Sequence, residues 1–390
     1  MLGLGSSIVK PGKIGLPIVT DNLLLRHKYI GGEVHQVSTG AADINADAAA
    51  NEYIDVGTIE ITTNDVSVCA WVYITDWVNY GGIFANRHAS GDNQGFELRC
   101  ANGAQKFQIL IDEATTGSAS LSSSVKNSNQ WYHVCVVMDR SSTVSLYVDG
   151  VADGTPVSIT GQADSLTHAT VAKIGQNYST TEMRGYVCNV GYWNRVLTQA
   201  EVKSIWYKNY ADLTTSEKTS LVSWWNLDTL TEFDVDGTGD GLVLDNNATL
   251  GSELITGFIN GTSYPLDTFT SSGRNITAAI ETSGNYGGCA SNEFSLTEGE
   301  WYKCTFNLTY NSGTDPVKVI LVDNANGAST HRANMNFSST NGENVMYFKV
   351  SATDSTSRLQ FGSKDEADVI NFSASNISLK KINGNPGEIK

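Results

Sequence analysis

Residues 130–154, QWYHVCVVMDRSSTVSLYVDGVADG, constrain the fold more than any other stretch of the 390-residue chain. From Trp131 to Met138 the side chains alternate between two faces, Tyr132, Val134, Val136 and Met138 on one and Trp131, His133, Cys135 and Val137 on the other, and both are apolar enough to need cover. Such a segment reads as an interior strand. Turn residues 139–142 follow, then Val144, Leu146 and Val148 alternate with Ser145 and Tyr147 up to Asp149-Gly150, a dipeptide suited to the positive φ angles of a tight hairpin. A sheet with two apolar faces requires a second layer, so the meander belongs to a two-sheet sandwich.

Further short runs repeat the signal: residues 82–87, 95–100 and 106–111, each bounded by Gly, Asn or Ser turns. With 37 Gly and 6 Pro, the composition suits a turn-rich all-β chain. One helix is legible. Thr198-Gln-Ala-Glu201 has the spacing of a capping box, predicting a helix near 198–209 whose Val202, Ile205 and Trp206 share a stripe. Residues 221–227 return as a strand, with Trp224 and Trp225 expected on opposite faces, one in the core and the other exposed.

Two runs in this region resemble laminin-G-like members of the concanavalin A-like sandwiches: W-x-H-V-x-V-x-x-D, and then L-Y-V-D-G-V. Residues 66–74 (VSVCAWVYI) are similar to that family's "aW" strand, residues 183–198 to its closing segment, and 51–57 (NEYIDVG) to the end of its opening one. The acidic pair usual in the closing strand is Cys188 and Asn189 here, so no role of those carboxylates carries over.

Near residue 250 the pattern changes. Residues 301–310 (WYKCTFNLTY) alternate as a half-buried strand, and residues 317–322, 345–350, 358–361 and 376–382 supply the rest of a jelly roll. The order GSELITGF, LTEGEWYKCTFNLT, RLQF and NISLKKI, covering most of residues 250–382, resembles jelly-roll carbohydrate-binding modules, with Ser375 standing where the family's calcium-holding Asp is usual. The expected fold is therefore all-β: residues 1–28 an arm, 29–249 a concanavalin A-like/laminin-G-like β-sandwich, 250–382 a second jelly-roll β-sandwich, and 383–390 a tail.

Composition narrows the function. A formal net charge of −16, with no Lys/Arg run longer than a pair, argues against nucleic-acid binding. Residues 1–15 have neither the basic lead nor the apolar stretch of a signal peptide, and no segment suits membrane insertion. No E-x-D-x-(x)-E strand, H-E-x-x-H, G-x-S-x-G or phosphate loop occurs, so the chain is expected not to be an enzyme. The six cysteines lack CxxC spacing and read as buried thiols, with a Cys289–Cys304 bridge left open. Asp234, Asp236 and Asp240, set among glycines, offer the oxygen ligands calcium prefers, yet the same residues make ordinary Asp-Gly turns. Sugar or partner binding calls for loop aromatics, for which Trp77, Tyr80, Tyr264 and Tyr286 are the candidates.

An N-terminal arm that reads MLGLGSSIVKPG and then VTDNLLLRHKY, a laminin-G-like sandwich, and LGSELITG leading a carbohydrate-module-like jelly roll together resemble virion structural proteins of tailed bacteriophages. That resemblance implies a head decoration, fibre or tail appendage made in the host cytoplasm, assembled as a homo-oligomer or on a lattice. Its arm would hold other virion proteins, and its sandwiches would meet a host-surface glycan. The competing expectation is a secreted, calcium-dependent glycan-binding adhesin.

Overall fold

The structure, a computed structural model, describes residues 28–30, 33–35, 38–44, 52–87, 94–113, 117–168, 170–228, 231–232, 241–261, 265–280, 287–313, 317–322, 337–338, 340–362 and 369–389. Among the described residues the fold is all-β with one α-helix, Gln199–Ile205. No helix among the described residues is long and apolar enough to cross a membrane. The chain divides into two units, with boundaries at Ala248/Thr249 and at Asn383/Gly384.

In the first unit, strand Trp131–Met138 is interior as its two apolar faces require, lying between Val66–Asp76 and Thr143–Val148. The turn after Val148 has Asp149 at φ 51° and Gly150 at φ 75°, the left-handed pair that a two-residue hairpin needs. Strand Arg184–Trp193 pairs with Val66–Asp76 on its other side, and Leu221–Trp225 and Ala42–Ile44 join it. The facing sheet runs Thr231–Glu232, Gly241–Val243, Gly387–Ile389, Ile54–Asp55, Lys173–Ile174, Gly82–Arg87, Gly95–Cys100, Phe107–Glu113, Gly117–Ser122. Between the two layers Val68, Ala70, Val134 and Val136 meet Phe84, Phe96, Leu98 and Ile109 in one core.

Two local expectations fail for identifiable reasons. Trp224 and Trp225 do point to opposite faces, but both are buried: Trp225 enters the core between the sheets, while Trp224 lies in a second apolar layer with Leu197, Val202, Ile205 and Leu213. The helix with its flanking segments covers the part of that sheet's outer face that carries Cys69, Cys135, Trp193 and Trp224. The helix also stops at Ile205 rather than near 209, because the Lys208 N–H donates to Ile205 O (3.0 Å) and Asn209 turns extended, its side chain capping the separate turn Tyr210–Asp212.

The second unit is a sandwich of its own. One sheet orders Thr268–Ser272, Asn275–Ile280, Ile370–Asn383, Trp301–Gly313 and Gly342–Lys349, with Thr249–Glu253 also on Ile370–Asn383; the other orders Phe258–Asn260, Gly288–Ser291, Asp354–Gly362, Lys318–Val322 and Phe337–Ser338, with Phe294–Leu296 on Asp354–Gly362. Phe306 and Phe361, one from each sheet, meet edge to face at 5.0 Å in its core.

The last residues, read from the sequence as a tail, return to the first unit. Strand Gly387–Ile389 lies between Gly241–Val243 and Ile54–Asp55, and Asn385 O accepts the Trp225 indole N–H at 2.7 Å. Residues 249–383 are thus inserted ahead of the strand that completes the first unit's nine-stranded sheet.

Candidate functional site

The outer face of the nine-stranded sheet carries a connected polar arrangement. Period-2 alternation places it there: Phe96, Leu98 and Cys100 turn into the core, so Glu97 and Arg99 turn out, and beside them Phe107, Ile109 and Ile111 turn in while Gln108, Leu110 and Asp112 turn out. Cross-strand register sets Ala85 opposite Glu97 and Arg99 opposite Gln108.

Glu97 is the centre, with its side chain fully buried. Its Oε2 accepts from Arg99 Nη1 at 2.7 Å and lies 3.8 Å from Arg87 Nη1, and its Oε1 accepts the Tyr178 backbone N–H at 3.0 Å. Arg87 also donates to Asp112 Oδ2 (2.6 Å), and Arg99 Nε donates to Gln108 Oε1 (3.1 Å). With both oxygens engaged by donors, Glu97 organises the face and fixes both guanidinium planes.

Aromatic rings lie on those planes. The Arg87 guanidinium sits 4.3 Å from the Tyr178 ring centre and that of Arg99 sits 4.6 Å from Tyr80, so each ring has one face on a cation while Tyr178 is half-exposed and Tyr80 exposed. A third tyrosine, Tyr53, takes Lys173 Nζ at 4.4 Å, and the same amine donates to Gln176 Oε1 at 2.6 Å. Burial pushes the Lys173 amine below its usual range, against the pull of Asp55 and Glu182.

Two loops hold Tyr80 and Tyr178 together. Buried Asn177 donates from Nδ2 to Tyr80 O (2.9 Å) and accepts at Oδ1 from the N–H groups of Ser179 (2.9 Å) and Thr181 (2.8 Å). Tyr80 sits at φ 65°, a left-handed conformation a tyrosine seldom adopts, and Gly82 packs so closely that a Cβ there would lie 2.1 Å from Asn177 N. The site is therefore built, with guanidinium and amide donors, carboxylate and amide acceptors, and two tyrosine rings on one surface.

Of the aromatics singled out in the sequence, Tyr80 lies in this site, whereas Trp77 is half-buried with its ring 5.1 Å from Phe107. Tyr264 and Tyr286, the Asp234, Asp236 and Asp240 loop, and residues 1–27 of the arm lie outside the described residues. Among the described residues no three His, Cys, Asp or Glu side chains group so as to hold a metal ion, and all six cysteines are buried and free, Cys289 and Cys304 included. Tyr178, Arg87, Glu97 and Arg99 were not expected as site residues. The available signal was GFELRC itself, in which charges occupy alternate positions of a strand whose other face is apolar.

The model of the Concanavalin A-like lectin/glucanases superfamily matches residues 47–203. No curated protein sequence matches the chain significantly. Similar solved structures include a heptameric SAP-like pentraxin from Limulus polyphemus (14% identity, 45% of this chain and 88% of that one, TM-score 0.35). Another is a putative carbohydrate binding protein from Bacteroides ovatus (16% identity, 53% of this chain and 55% of that one, TM-score 0.39). The Ruminococcus gnavus IT-sialidase CBM40 bound to α2,3 sialyllactose is a third (10% identity, 44% of this chain and 94% of that one, TM-score 0.31). Residues 47–203, the segment that holds most of the Glu97-centred face, have the concanavalin A-like lectin fold.

Proposed function

We propose that the chain is a non-enzymatic glycan-binding protein whose first unit takes a sugar on the Glu97-centred face. The observation that carries this reading is the pair of Tyr178 and Tyr80, each backed by a guanidinium and surrounded by donors and acceptors. Pyranose rings are recognised by this chemistry: an aromatic face for the C–H side of the ring and charged or amide groups for its hydroxyls. Calcium-dependence, as in the adhesin expectation, adds an ion at Asp234, Asp236 and Asp240. Attachment to a virion through residues 1–28 extends the proposal and follows from the resemblance to phage proteins; incorporation of a chain lacking those residues into particles would count against it.

A glycan array probed with the full chain, with and without a chelator, tests the reading. A bound glycan should lose affinity about tenfold, equivalent to about 1.4 kcal/mol, on Tyr178→Ala, with Tyr80→Ala acting in the same direction. Thermal unfolding should stay within a few degrees, since both rings lie outside the core. Silence across the array, or equal binding by both variants, overturns it; loss of binding on chelation selects the calcium-dependent form.

A further inference from the structure

The other sheet of the first unit carries a second aromatic arrangement, independent of the Glu97-centred face. On its outer side four residues stand directly opposite one another across four strands: Asp43 faces Tyr186, Tyr186 faces Tyr73, and Tyr73 faces Trp131. The three rings are half-buried and in mutual contact, with centres 5.6 Å apart for Tyr73 and Trp131, 5.5 Å for Tyr73 and Tyr186, and 6.5 Å for Trp131 and Tyr186. Trp131 and Tyr186 pack in part against the first unit's apolar cluster, yet part of each of the three rings stays exposed, while Val72, Ile74, Tyr132 and Val187 fill the core-facing side of the same strands.

Among the described residues no cation covers this row. Elsewhere among the described residues Tyr53, Tyr80, Tyr178, Tyr210, Tyr347 and Trp301 each have a Lys or Arg of this chain over the ring. No described Lys or Arg stands over Tyr73, Trp131 or Tyr186, and the basic residue two positions along, Arg184, is bound to Asp76 at 2.8 Å. The charge beside the rings is negative instead. Asp43 accepts no hydrogen bond from a described residue, and burial together with repulsion from Glu52 pushes its carboxyl up to about 6. Electron-rich ring faces beside an uncompensated carboxylate attract one class of ligand above others: a weakly hydrated positive charge.

We propose that the Tyr73–Trp131–Tyr186 rings, with Asp43 as counter-charge, bind an organic ammonium group, either a quaternary ammonium or the protonated amine of an amino sugar. The rings supply cation–π attraction and contact area, and Asp43 supplies the opposite charge at the end of the row. A neutral ligand of the same shape would gain only the contact area, so charge is the discriminating variable.

Isothermal titration calorimetry on the full chain tests this with two matched pairs at constant ionic strength: choline against its neutral isostere 3,3-dimethyl-1-butanol, and glucosamine against N-acetylglucosamine. At least one cation should bind about tenfold or more tightly than its neutral partner, and the pair that responds identifies the source of the ammonium. Asp43→Asn, which keeps the side chain's size, should weaken that binding about tenfold; Trp131→Ala should weaken it further; Tyr178→Ala, on the loop beside the Glu97-centred face, should leave it unchanged. Equal binding of cation and isostere, full binding by Asp43→Asn, or no heat from either cation up to about 10 mM overturns the proposal. Loss through Tyr178→Ala would overturn the independence of the two faces.

Discussion

His133 is buried against Trp71, ring centres 5.6 Å apart, and among the described residues its Nδ1 has no hydrogen-bond partner. Desolvation pulls its pKa from 6.5 down to about 3. The unfolded chain therefore takes up a proton near pH 6.5 that the folded chain refuses until about 3, so the stability His133 contributes is full above 6.5 and falls by about 1.4 kcal/mol per pH unit below it. Asp43 has the opposite sign. Its folded pKa of about 6 exceeds the ordinary 3.8, which costs stability above 6, and that cost is relieved as pH falls from 6 towards 3.8, to an extent that solvent screening at this half-exposed group reduces. The two slopes oppose each other across that window. Urea unfolding at about pH 7 and about pH 4.5 should show His133→Phe flattening the acid loss relative to wild type and Asp43→Asn steepening it; parallel losses in all three proteins would show that neither side chain titrates as its surroundings dictate.

At the scale of elements, much of the fold was legible because local rules and tertiary outcome agree. Alternation from Trp131 to Met138 and the Asp149-Gly150 turn gave an interior strand and a hairpin in their observed places. The capping box was equally local: Thr198 Oγ1 accepts the Glu201 N–H (3.2 Å), Glu201 Oε2 accepts the Thr198 N–H (2.9 Å), and two hydrogen bonds from Arg195 hold the Glu201 carboxyl down at about 2. What the pattern could not reveal depends on partners distant in sequence. Trp224 is buried because a helix covers the part of its sheet's outer face where it lies, and the Glu97 face exists because loops about 100 residues apart, at Tyr80 and Tyr178, are tied by one asparagine. Removing the cap tests how far the helix depends on it: Thr198→Ala should cost about 1 kcal/mol. Fluorescence of Trp193 and Trp224 beneath the helix should follow that loss in denaturant, and a loss below a few tenths would mean that Val202 and Ile205 packing alone fixes the helix.

For the whole molecule, the decisive feature is that the first unit is completed by its last seven residues after the entire second unit has been traversed. The crossing points are neighbours. Thr249 pairs with Asn383 as the chain enters and leaves the second unit, and a Cβ on Gly384 would lie 2.5 Å from the Ala248 Cβ, so a short link spans the gap. Replacing residues 249–383 with a Gly-Ser linker of about three residues should therefore leave a first unit that unfolds cooperatively, with loop closure adding little cost. Ending the chain at Ala248 should not be equivalent. That cut removes the strand between Gly241–Val243 and Ile54–Asp55, the acceptor of the Trp225 indole, and the Asn385 N–H and Nδ2 that bond Asp245 Oδ2 (2.9 Å) and Ser223 Oγ (2.6 Å). An indole N–H left without a partner costs about 1–3 kcal/mol by itself, before the lost strand is counted. Denaturant unfolding of the two shortened chains separates the cases, because only a sheet closed by Gly387–Ile389 makes the linked chain the more stable of the two; equal stability would mean that the sandwich is complete without its final strand.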